Sequence, residues 1–172
     1  NIALSVVQGE ALSLDQLEAL AREDLSDLAE AASYVRDTAY CEFTSYSRKV
    51  FIPLTELCRD VCHYCTFAKA PRRIDSTYMS VDEVLELARR GKAAGCNEAL
   101  FTLGEKPELR YRAARDWLDE AGFVSTIEYL AHVAELVLKE TGLLPHINAG
   151  TMTHDELKSL RSVSASMGIM LE

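Results

Sequence analysis

From residue 49 onward, short β-branched or aromatic runs alternate with capped amphipathic segments, and this rhythm permits few folds. The runs are 49–54 (KVFIPL), 98–103 (EALFTL), 143–150 (LLPHINAG) and 164–171 (SASMGIML). Between them, Ser80 with Glu83, Ser125 with Glu128, and Thr153 with Glu156 stand in the Ser/Thr-x-x-Glu relation of a helix start. In that relation a cap hydroxyl and a carboxylate three residues on satisfy backbone amides that the first turn leaves unpaired. Helices are therefore predicted over 80–95, 125–142 and 153–160. Val84, Leu87 and Ala88 stripe the first, and Ile127, Leu130, Ala131, Ala134 and Leu138 the second. Gly95 and Gly142 sit where left-handed stops are expected. Strand and helix alternating at this spacing make βαβ units, and such units build a parallel sheet. Four strands do not close a barrel, so the expected fold is α/β, the first four strands of a partial (βα) barrel.

The preceding segment has a different character. Ser13 and Gln16 form another capping pair ahead of Leu14, Leu17 and Ala21, and 24–39 continues a helical pattern. Residues 1–45 are expected to be an N-terminal helical leader, and 46–172 the barrel portion. The chain opens on Asn1 and closes on Met170-Leu171-Glu172, where a central strand should stand. It is read as part of a longer protein, with residues 1–172 alone expected to be inactive. A net charge of −9 without a basic cluster argues against nucleic acid as a partner. No basic leader precedes an apolar run, and no apolar stretch reaches 18 residues, so neither a signal peptide nor a membrane span is expected.

Three of the five cysteines, Cys58, Cys62 and Cys65, fall within eight residues just beyond the first predicted strand. An odd total and such crowding do not make a disulfide framework; metal-binding thiols in a reducing cytoplasm fit better. Three chemistries suit the spacing. A zinc site would recruit a fourth ligand from Cys41, Cys96, His63 or an acidic side chain. Cys62-x-x-Cys65 alone would make a redox dithiol. An iron–sulfur cluster held by three thiolates would leave one iron for another ligand. In a (βα) barrel the active end lies where strands finish. The cysteine loop, Gly104-Glu105, Asn148 and Glu172 all lie at such ends.

Cys58-x3-Cys62-x2-Cys65, with Tyr64 before the last cysteine, resembles the signature of the radical S-adenosylmethionine (SAM) superfamily. That resemblance implies a radical SAM barrel in which the three cysteines ligate a 4Fe–4S cluster and S-adenosyl-L-methionine chelates the fourth iron. It implies adenine contact for Tyr64. Gly104-Glu105 matches in part a Gly-Gly-Glu-like motif, Leu103 replacing the first glycine; Glu105 would accept the methionine ammonium. Asn148 and Glu172 would serve ribose or carboxylate. Cys41 and Cys96 are expected to pack as small apolar residues or to sit idle, and His63 to lie exposed.

Within the superfamily, YSRKVFIPLTELCRDVCHYCTFA, GCNEALFTLGEKPE, GLLPHINAGTMTHDEL and SASMGIMLE resemble the members that make the deazaflavin chromophore. The implied reaction is lyase-type: a tyrosine-derived hydroxybenzyl–ribitylaminouracil adduct is cyclised with loss of ammonia through a 5′-deoxyadenosyl radical. Implied partners are that small-molecule substrate, an electron donor such as ferredoxin or flavodoxin, and a second radical SAM domain, fused or separate. Menaquinone-pathway and biotin-synthase-like members are the alternatives, followed by a non-enzymatic zinc module. No residue is assignable to substrate.

Overall fold

The computed structural model describes residues 5, 7–41 and 43–169. The chain divides into two compact units, Asn1–Tyr46 and Ser47–Glu172. The first carries helices α1 (Leu14–Leu20) and α2 (Leu25–Tyr40). The Ser13–Gln16 capping box is closed in both directions, and Asp24 caps α2 by accepting from the Ser26 amide at 2.8 Å. Neither helix buries a residue, so Leu14, Leu25 and Tyr40 stand exposed.

The second unit holds β1 (Lys49–Pro53), α3 (Val81–Ala93), β2 (Glu98–Thr102), α4 (Arg112–Ala121) and α5 (Thr126–Thr141). β3 (Leu144–Asn148), α6 (His154–Arg161) and β4 (Ser166–Met167) follow. The four strands lie side by side in chain order, each neighbouring pair parallel. Their register runs Val50, Ala99, Pro145 in one row and Ile52, Phe101, Ile147, Met167 in another. Because side chains alternate along a strand, these rows share one face, and Val50, Ile52, Ala99, Phe101 and Ile147 are buried on it. Val84, Leu85 and Ala88 of α3 and Leu130, Val133, Ala134 and Val137 of α5 join the same core. Each large aliphatic or aromatic side chain so buried contributes about 1.5–3 kcal/mol relative to exposure. The opposite face carries Lys49, Phe51, Leu100 and His146, half-buried or exposed. Helices on one face and a freer inner face make an arc of barrel wall, the α/β arrangement expected.

Gly91 shows how close the packing is. A Cβ there would lie 2.5 Å from Val50 Cβ, so glycine lets α3 press onto β1. α3 and α6 start on the complete capping boxes foreseen, Ser80–Glu83 and Thr153–Glu156. At α5 only half the box forms. Ser125 Oγ accepts from the Glu128 amide at 3.1 Å, but the Glu128 carboxylate accepts from the Val124 amide at 2.6 Å.

Two elements depart from the sequence reading. The stretch after β2, for which the sequence predicts no helix, contains α4. Its N-cap, Tyr111, makes no side-chain cap bond. Salt bridges Arg112–Asp116 and Arg115–Asp119 line its exposed side, while Ala114 and Leu118 are buried. The fourth strand is shorter than the predicted 164–171, spanning Ser166–Met167, with residues 170–172 outside the described ones. Among the described residues no single helix is long and apolar enough to cross a membrane.

Candidate active site at the strand ends

The cysteine loop is anchored before it reaches its thiols. Leu54 and Leu57 are fully buried, and the Leu54 amide extends the ladder by donating to Thr102 O at 3.2 Å. Thr55 Oγ1 donates to Thr77 O at 2.7 Å and accepts from the Leu57 amide at 3.1 Å. Cys58 follows this anchor directly. Its Sγ accepts from two backbone amides, Glu105 at 3.3 Å and Asp60 at 3.4 Å. Cys62 and Cys65 are joined by a turn in which the Cys65 amide donates to Cys62 O at 3.1 Å.

The three thiols line one cavity, together with Thr102, Gly104, Glu105, Asn148 and Thr151 from the ends of β2 and β3. The structure thus brings Cys58, Cys62, Cys65, Gly104, Glu105 and Asn148 to one place. Tyr64 is 67% exposed on the loop and does not line that cavity. Glu172 lies outside the described residues. Cys96 packs half-buried against the core, Cys41 is exposed, and so is His63.

Gly104 lies where two backbones meet. Its amide donates to Thr55 O at 2.9 Å, and a Cβ on it would fall 1.8 Å from Leu57 O. No side chain fits, so the β2 loop closes tightly on the cysteine loop.

Glu105 is 9% exposed, a buried carboxylate rather than a solvated one. Its oxygens accept from the Thr151 amide at 2.8 Å, the Thr151 hydroxyl at 2.5 Å, and the Arg59 guanidinium. Burial pushes its carboxyl up, but the Thr151 bonds and Arg59 outweigh that and hold it below the usual range. Gly150, at φ +77°, is packed so near that a Cβ would meet Glu105 Oε2 at 2.3 Å. Lys106 follows in a left-handed conformation, φ 35°, its ammonium on Glu156 at 2.8 Å.

Sequence reasoning missed Arg59 and Thr151. Each is ordinary in its local context, and their shared partner is 46 residues from both.

The donor set can be asked what it would hold. Among the described residues, no three His, Cys, Asp or Glu side chains converge tightly enough to hold a metal ion. Three cysteines of one loop lining a single cavity offer three thiolates, the ligand type that holds iron–sulfur clusters. Amides already aimed at one sulfur are the surroundings that iron–sulfur clusters use. The residues fit such a cluster.

The family model for the radical SAM superfamily matches residues 52–169. The chain is similar to an FO synthase of Mycobacterium tuberculosis (strain H37Rv), 50% identical over 164 residues, covering 87% of this chain and 19% of that protein. It is likewise similar to the 7,8-didemethyl-8-hydroxy-5-deazariboflavin synthase of Methanopyrus kandleri, 50% identical over 128 residues, 74% of this chain and 38% of that one. The chain therefore spans about a fifth of the mycobacterial relative and under two-fifths of the archaeal one. In fold it resembles methylornithine synthase (PylB), TM-score 0.69 at 22% identity over 98% of this chain and 47% of that one. The FeFe-hydrogenase maturase HydG from Carboxydothermus hydrogenoformans gives TM-score 0.67 at 20% identity, over 96% and 36%.

Proposed function

We propose that this chain, which belongs to the radical SAM superfamily, is the radical-generating portion of an enzyme that forms the 5-deazaflavin chromophore. The observation that carries this reading is the shared cavity of Cys58, Cys62 and Cys65 at the ends of parallel strands. The identity to FO synthases supports the choice of substrate. The family implies a 4Fe–4S cluster and SAM. When bound, that pair supplies one-electron cleavage of the sulfonium and so a carbon radical able to take hydrogen from a substrate.

The chain's residues supply the setting. Cys58, Cys62 and Cys65 would hold three irons as thiolates. Gly104, having no side chain, would let the β2 loop's backbone approach the methionine part. Asn148, half-buried at the end of β3, has an amide suited to carboxylate or ribose. Glu105 supplies negative charge near an incoming ammonium, although its oxygens are already engaged by Arg59 and Thr151. By resemblance, Tyr64 remains assigned to adenine and Glu172 to ribose or carboxylate.

The substrate would be the hydroxybenzyl–ribitylaminouracil adduct, cyclised with expulsion of ammonia. A low-potential donor of the ferredoxin or flavodoxin type would provide the electron, and a second radical domain or subunit the adduct. The test is anaerobic reconstitution of the full-length protein, then incubation with adduct, SAM and reductant. A fluorescent deazaflavin together with 5′-deoxyadenosine is expected; deoxyadenosine without deazaflavin would overturn the substrate. Separate Ser variants of Cys58, Cys62 and Cys65 should each lose iron, because alkoxide is a harder, poorer ligand here. Ser variants of Cys41 and Cys96 should keep it.

A further inference from the structure

We infer that Arg59 is a positioning residue for the cluster: gripped by Glu105, it holds the β2-loop amide of Glu105 on the sulfur of Cys58. Arg59 and Glu105 meet twice. Along the backbone, the Arg59 amide donates to Glu105 O at 2.9 Å; through side chains, Arg59 Nη2 donates to Glu105 Oε1. Between these two ties runs the third contact, the Glu105 amide on Cys58 Sγ at 3.3 Å. A residue bonded at both its carbonyl and its carboxylate cannot swing its amide freely.

The clasp reaches further. Thr151, in the loop after β3, donates its amide and hydroxyl to the same carboxylate and accepts from Arg59 Nη2 at 3.3 Å. On the loop's other side, Arg110 Nη1 donates to Arg59 O at 2.9 Å. Arg59 Nε is buried without a hydrogen-bond partner, so contacts through Nη2, not Nε, orient the guanidinium. The segment carrying Cys58 is thereby fixed against the ends of both β2 and β3.

The consequence is electrostatic. An amide donating to a ligating sulfur draws charge from it and favours the more negative, reduced cluster; such bonds help to set reduction potentials. Arg59 would therefore act on the cluster without touching it. This rests on Cys58 being an iron ligand, the reading proposed above.

The test uses the full-length protein, reconstituted anaerobically, with Arg59→Met, Arg59→Lys and Thr151→Val. Arg89→Met, which removes a guanidinium from the exposed Arg89–Glu140 pair, is the control. The readouts are iron content, midpoint potential and the electron paramagnetic resonance g-values of the reduced cluster. Expected are a more negative potential and altered g-values for Arg59→Met, with partial recovery in Arg59→Lys, which keeps the charge but one fewer fork. Thr151→Val should shift in the same direction, and Arg89→Met should match the parent. If Arg59→Met fails to load iron, Arg59→Lys and Thr151→Val carry the comparison. The inference is overturned if the variants that load show the parent's potential and g-values, whatever they lose in stability. If the parent itself takes up no iron–sulfur cluster, the function reading has failed instead.

Discussion

Gly104→Ala separates steric from conformational reasons for a glycine. Gly104 has no positive φ, so an alanine there meets no backbone penalty. Its Cβ would nonetheless lie 1.8 Å from Leu57 O, 2.5 Å from Leu57 C and 2.9 Å from Cys58 Cα, all of them backbone. Moving from 1.8 Å to the 3.4 Å of ordinary contact requires the loops to part by about 1.6 Å. That distance breaks the bonds from Gly104 N to Thr55 O and from Arg59 N to Glu105 O, both 2.9 Å. Two lost bonds at about 0.5–1.5 kcal/mol each, with about 1–3 kcal/mol of overpacking, put the cost at about 2–6 kcal/mol. Gly122→Ala is the complementary control, with φ +81° but no atom within 4 Å of its Cβ. It should cost about 1 kcal/mol. Urea unfolding by circular dichroism and hydrogen exchange over 54–60 and 102–106 would read both. Gly104→Ala should lower the midpoint, speed exchange in both segments and reduce iron uptake. Parent-like exchange in 54–60 would refute the claim that these backbones hold each other.

Gly91→Ala should destabilise by about 1–3 kcal/mol through Val50, 2.5 Å from the new Cβ, while leaving iron content per folded molecule unchanged. Glu156 is pushed up by burial but held below its ordinary 4.5 by Lys106 and Thr153. Its stabilisation is complete above that value and fades as pH falls through the depressed one. Glu156→Gln should therefore flatten the acid limb of stability below the ordinary carboxylate range; an unchanged slope would contradict it. Tyr78 and Tyr129 are both raised above 10 by burial, so their contribution holds below that pH and is lost above it. In alkaline difference absorbance both phenols should ionise only as the fold opens, and ionisation before unfolding would count against the packing described.

The parts of the fold legible in the sequence share a property: their causes lie within four or five residues. Ser80 and Glu83 announce α3 because hydroxyl and carboxylate reach amides three positions away. α4 gave no such sign. Its cap has no side-chain bond, its surface is salt-bridged, and its anchors work at a distance. Trp117 packs at a tilt against Tyr78, ring centres 4.7 Å apart, and edge-on against Tyr129 at 4.9 Å. Those contacts organise the helix from elements before and after it. The half-box at α5 belongs with this case, since Glu128 could serve either Ser125 or Val124 and the approaching chain decided it.

The site divides along the same line. Cysteine spacing is local, so the thiols were readable at once, and their cavity partners followed from parallel strands ending at one level. What this could not predict is how the loops are tied. Arg59 lies 46 residues from Glu105 and 92 from Thr151, and neither partner alters the pattern around it. The expected role for Glu105, an acceptor for a ligand's ammonium, came from resemblance and named no partner within the chain. The fold instead gives it a guanidinium, a hydroxyl and an amide. A carboxylate buried to 9% exposure needs such company, because an uncompensated buried charge is costly. Its burial, a product of packing, thus implies a cation nearby, and only the three-dimensional register of the loops makes that cation Arg59. On the proposed reading, a ligand's ammonium arriving at Glu105 would share an acceptor already engaged by Arg59 and Thr151, and cofactor binding would then be tied to the geometry of the cysteine loop.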